Sequence, residues 1–174
     1  MTRYVALLRA VNVGGTGKLL MTELKSLCEA AGFSDVRTYI ASGNVVFTSQ
    51  LNETAVQKAL GKHLQSHTGK SVGVLVRTAA EMAQVLADNP FPEAPGNRVV
   101  AIFLDTPPAA TALNDVGGVV EERLALGRRE IYVHYGDGMA DSRMKLPIAA
   151  HGTARNINTV AKLAELAAIP KPAK

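Results

Sequence analysis

The densest polar chemistry in the chain is the stretch GTARNINTVAKL, residues 152–163. Arg155 offers a planar fork of N–H donors that matches a carboxylate or a phosphate. Asn156 and Asn158 carry amides that both donate and accept. The three cluster at the start of a helical pattern that runs from about Ile157 to Ala167, where free backbone N–H groups favour an anion. The same residues suit a scaffold. One asparagine would then cap the helix, and Arg155 would pair with a carboxylate such as Asp137 or Asp141.

A second candidate is VALLRAVNVGGTGKLLMTEL, residues 5–24, in which a strand pattern meets a glycine-rich loop with a lysine and then a helix pattern. It is not a Walker A loop. With Gly17-Lys18 in register, Asn12 stands where the first glycine belongs and Leu19 where a hydroxyl must meet magnesium. The dinucleotide fingerprint fails as well, because Leu20 takes the place of its third glycine. What remains is Arg9 and Asn12 at a strand end, followed by pliable backbone at Gly14 and Gly15. This is either a tight strand-to-helix turn with Asn12 bonding loose backbone groups, or a binding loop.

The remaining reactive residues point to no further chemistry. His63 and His67 have the i, i+4 spacing of zinc ligands but lack the intervening Glu of a metalloprotease motif, so a solvated surface pair is expected and no metal site. Cys28, the single cysteine, falls on an apolar helical face with Leu24, Leu27 and Ala31 and reads as core. Ser42 has no paired base. No cofactor is expected.

The totals set the class. At 174 residues and 47% hydrophobic content the chain has material for a packed core, built from aliphatic side chains because aromatics are 5% and Trp is absent. No apolar run approaches the roughly 18 residues of a membrane span, and the N-terminus does not read as a signal peptide. One cysteine excludes an internal disulfide and fits a reducing cytoplasm. The net charge is +4, and residues 142–174 hold six basic side chains against Glu165 alone.

These residues need elements to hold them. Residues 3–11 read as a strand, Met21 to Ala31 as a helix, and 35–41 and 44–49 as strands joined by a two-residue Ser42-Gly43 turn. Asn52 caps a helix through about Thr68, and 71–77 is the next strand. The order β-α-β-β-α-β is ferredoxin-like. A helix capped by Thr78, a Pro-rich connector, a strand over 98–105, a short helix after Pro107, a hairpin around Arg128-Arg129 and the final helix follow. The expected fold is thus α+β, with a ferredoxin-like subdomain over 1–78, a smaller, incomplete α/β subdomain over 79–169 packed against it, and a frayed tail over 170–174. Taking the first strand as parallel to the third places the Ser42 turn at the edge opposite Asn12.

Three stretches in order, LLRAVNVGG with Met21 and Leu24 downstream, GFSDVRTYIASGNVVF, and GTARNINTV followed by Lys162-Leu163, resemble the bacterial family called domain of unknown function 1697. The chain departs from that pattern at Ala10, where glycine is usual, and at Arg143, where lysine is expected. The resemblance implies a cytoplasmic α+β protein with a ferredoxin-like part. It supplies no reaction, cofactor or catalytic residue.

Three functions compete. The first is a site for a small anionic or phosphorylated ligand, with Arg9, Asn12, Gly14, Gly15, Arg155, Asn156 and Asn158 as its residues; no tuned general base is visible, so binding is better founded than catalysis. The second is nucleic-acid binding through phosphates, although the sheet offers only Tyr4 and Phe47 for stacking. The third is assembly, such as a homodimer, through an unpaired sheet edge.

Overall fold

The computed structural model of the chain describes residues 1–12, 18–136 and 142–168. It is an α+β protein with two antiparallel four-stranded sheets. The chain divides into two compact units, Met1–Met82 with the chain from Leu163 onward, and Ala83–Lys162.

In the first unit the elements are β1 (Thr2–Leu8), α1 (Met21–Ala30), β2 (Ser34–Tyr39), β3 (Asn44–Ser49), α2 (Glu53–Thr68) and β4 (Val74–Thr78), with sheet order β2-β3-β1-β4. Period-two alternation puts Tyr4, Ala6 and Leu8 of β1 on one face with Val45 and Phe47 of β3 and Val74 and Val76 of β4. Helical spacing brings Leu24 and Cys28 of α1, and Val56, Leu60 and Leu64 of α2, into the same cluster. Burying each of these large aliphatic side chains contributes about 1.5–3 kcal/mol. Phe33 stacks on Phe47 with ring centroids 4.3 Å apart. The opposite face is buried too, at Val5, Leu7, Val46 and Leu75. The two aromatics offered for stacking a base, Tyr4 and Phe47, therefore belong to the core.

The helix ends obey local chemistry. Asn52 accepts from the Ala55 N–H at 2.9 Å, and Gly69 closes α2 in the left-handed conformation, φ 74°. Thr78 and Glu81 form a reciprocal capping box at α3 (Ala79–Ala87), with bonds of 2.9 and 3.1 Å.

The second unit holds β5 (Val99–Phe103), β6 (Arg123–Leu126), β7 (Glu130–His134) and β8 (Thr153–Asn156) in the order β6-β7-β5-β8. Val100, Ile102, Ile131 and Val133 centre its core, with Leu113, Leu146 and Ile148 packed against them. Where a short helix is expected after Pro107, a single 3-10 turn forms at Ala112–Asp115. The last helix, α4 (Ile157–Ala168), spans both units. Its final turn is held in the first unit by Arg37 of β2, whose Nη2 donates to the Leu166 carbonyl at 2.7 Å.

Two expectations about the hairpin are corrected. The turn has four residues, because Tyr39 pairs directly with Asn44. The buried Asn44 amide donates to the Tyr39 carbonyl and to Ser42 Oγ, both at 2.9 Å, and this closes the longer loop. The first strand also runs antiparallel to the third, with Leu7 opposite Asn44. The turn therefore lies at the same end of the sheet as Asn12, not at the far edge.

A basic cleft at the end of the first strand

Strand β1 stops at Leu8, shorter than its apolar run predicts. The chain then enters strained backbone, with Ala10 at φ 55° and Asn12 at φ 56°. Left-handed dihedrals suit glycine best, so Ala10 and Asn12 hold a costly backbone conformation here. Across from them Ile40 has φ 49°, rare for a β-branched residue. Asn12 ties these segments together. Its Nδ2 donates to the carbonyls of Leu19 and Ala41, both at 2.8 Å, and its Oδ1 accepts from the Leu19 N–H at 2.6 Å. Asn12 thus works as a staple, its donors and acceptor spent on backbone. Gly43 presses on the same junction: a Cβ there would lie 2.6 Å from Val11 Cγ2 and 2.8 Å from Leu8 Cβ.

A cleft of about 530 Å³ opens beside this junction, and the described residues lining it belong to the first unit. Its cationic lining comes from three segments: Arg9 after β1, Lys18 before α1, and Lys70 after α2. Each is positioned locally. The Arg9 N–H donates to the Gly73 carbonyl at 2.9 Å, in continuation of the β1–β4 ladder. Lys18 precedes Leu19, which Asn12 grips from both sides. Lys70 follows the Gly69 cap, and its backbone N–H donates to Thr68 Oγ1 at 3.2 Å. All three side chains are on exposed residues, and among the described residues none of them enters an ion pair. The apolar lining is Ala10, Val11, Leu19 and Val72, and Ser71 adds a hydroxyl.

His67 also lines the cleft, and its Nε2 lies 2.9 Å from Glu23 Oε2. That hydrogen bond is the main reason the Glu23 carboxyl is held below the usual carboxylate range. The Glu23 carboxyl is thereby engaged with the imidazole, and α1 is clasped to α2. His63 is not part of this arrangement, and among the described residues no group of three or more metal-ligating side chains forms.

The polar stretch at residues 152–163 has a different setting. Thr153–Asn156 is strand β8, paired with β5 so that Arg155 faces Ala101 across the ladder. Arg155 is buried, and its Nη1 donates to Thr153 Oγ1 at 2.7 Å and to the Ala154 carbonyl at 2.9 Å. Burial lowers its pKa to about 10. Asn156 caps α4 by accepting from the Thr159 N–H at 2.9 Å. Asn158 is exposed and sits over Gly96, whose carbonyl accepts from the Ile157 N–H at 3.1 Å. Arg9 and Asn12 belong to the first unit and Arg155, Asn156 and Asn158 to the second, while Gly14 and Gly15 lie outside the described residues, as do Asp137 and Asp141.

Lys18 and Lys70 are the cleft residues that motif reasoning misses. Strand order would have found Lys70: β4 pairs with β1, Val74 opposite Leu8, so the segment entering β4 must lie beside the segment leaving β1. Cys28 is core, fully buried, with burial pushing its thiol up to about 12.

Among the described residues no helix is long and apolar enough to cross a membrane. No curated protein matches the chain. Among solved structures it is similar to the conserved bacterial protein SP0830 from Streptococcus pneumoniae, with a TM-score of 0.80 and 23% identity over 95% of this chain and 98% of that one. At that identity the likeness carries the fold alone. The family model described as protein of unknown function (DUF1697) matches residues 1–132. That match covers well over half of the chain, and the chain belongs to the DUF1697 family.

Proposed function

We propose that the chain binds a small anionic or phosphorylated ligand in the cleft at the end of β1. The observation that carries this is the convergence of Arg9, Lys18 and Lys70, from three separate segments, without an ion-pair partner among the described residues. Like charges held close repel one another, and an anion relieves that repulsion. Arg9 supplies a planar fork and the two lysines compact charges, a set that suits phosphate. Asn12 contributes by holding Leu19 and the Ala41 turn in place.

The test is calorimetric titration with inorganic phosphate at constant ionic strength. Arg9→Ala and Lys70→Ala should each weaken binding about tenfold, which is about 1.4 kcal/mol. Both residues are exposed, so melting temperatures should stay nearly unchanged. Equal affinity in wild type and both variants would remove the cleft from consideration.

A further inference from the structure

The cleft is larger than a phosphate and only half of it is polar. At about 530 Å³ the cleft has room for more than the five heavy atoms of a phosphate. That room is bordered by Ala10, Val11, Leu19 and Val72, of which Val11 and Leu19 are rooted in the core of the unit. Among the described lining residues, Thr68 Oγ1 already donates to the Leu64 carbonyl at 2.8 Å, which leaves Ser71 as the hydroxyl to meet a ligand. Against the apolar lining a polyol body would lose hydrogen bonds to water. An apolar or aromatic body would not.

We infer that the ligand is a phosphate monoester of a compact, partly apolar alcohol, with its phosphoryl group among Arg9, Lys18 and Lys70 and its organic body against Val11, Leu19 and Val72. This rests on the anion-binding reading of the same cleft. A terminal phosphoryl group carries close to two negative charges at neutral pH and three acceptor oxygens, which three cations can share. A diester in a polymer carries one charge per phosphate and needs a groove that continues past the site. The strained Ala10 and the Asn12 staple hold the apolar wall against the cationic one, as a site with two chemistries requires.

The experiment titrates the full-length protein with phenyl phosphate, inorganic phosphate, phenol and a short single-stranded oligonucleotide at one ionic strength, followed by calorimetry. Phenyl phosphate should bind at least about tenfold more tightly than inorganic phosphate, with phenol undetectable. Val72→Thr keeps the side-chain shape and adds a hydroxyl; it should shrink the ratio of phenyl phosphate to inorganic phosphate affinity. If the two phosphates bind equally, or the oligonucleotide binds more tightly than phenyl phosphate, the monoester inference is overturned while the anion site stands. If no phosphate binds wild-type protein, the anion site itself is overturned and this inference with it.

Discussion

Gly32 and Gly43 have nearly the same backbone dihedral, φ 91° and φ 90°, in different surroundings. A Cβ on Gly32 would meet nothing within 4 Å. On Gly43 it would meet Val11 Cγ2 at 2.6 Å and Leu8 Cβ at 2.8 Å, well inside the ~3.5–4.0 Å at which carbon atoms attract. Gly32→Ala therefore measures the dihedral penalty alone, about 1–2 kcal/mol. Gly43→Ala adds overpacking of about 1–3 kcal/mol, because Leu8 Cβ is fixed to the β1 backbone and cannot rotate away. The total for Gly43→Ala is about 2–5 kcal/mol. Urea unfolding of both variants with an unchanged m-value would report the difference directly. A double-mutant cycle adds a second check: Val11→Ala in the Gly43→Ala background should cost less than Val11→Ala alone, since it removes one of the two collisions. Equal losses for Gly32→Ala and Gly43→Ala, together with full additivity of Val11→Ala, would refute the close approach of the hairpin to the segment after β1.

Asn12→Ala strands the Leu19 N–H and the Leu19 and Ala41 carbonyls, and should cost about 1–3 kcal/mol while weakening phosphate binding in parallel; stability loss with full affinity would separate the staple from the cleft. Arg155→Ala should lower the melting temperature by several degrees with phosphate affinity unchanged, and loss of affinity at constant stability would move the site to β8. Burial pushes the Cys28 thiol up to about 12 in the fold, whereas an unfolded thiol ionises near 9.0. Its contribution is therefore complete below pH 9 and should be lost by about 1.4 kcal/mol per pH unit above it. Cys28→Ala should be less stable near neutrality but show a shallower alkaline loss, measured by denaturant unfolding from pH 8 to 10.5; parallel curves would contradict the burial.

The elements with strong local signals are readable from residues alone. Asn52, Gly69 and the Thr78–Glu81 pair mark helix ends because capping is satisfied within a few residues. The Leu24–Cys28 stripe is legible because its period matches α1. Three features are not legible locally. Ile40 and Ala41 continue the strand composition, yet a bond from Asn12 and the pairing of Tyr39 with Asn44 draw them into the turn. Residues 153–156 look like a polar helix entry, but pairing with β5 makes them a strand and buries Arg155. The cleft is assembled from positions 9, 18 and 70, which only strand order brings together. In the polar run at 152–163, Asn156 caps α4 and Thr153–Asn156 form an edge strand.

The central claim is that an anion seats among Arg9, Lys18 and Lys70. Its most direct test is a two-dimensional amide NMR titration of the full-length protein with phenyl phosphate at fixed ionic strength. The largest, saturable shifts should fall on the backbone amides of residues 9–11, 18–19 and 70–73, and Lys70→Ala should reduce their apparent affinity about tenfold. Saturable shifts centred on residues 153–158, or only linear shifts without saturation anywhere, would contradict it.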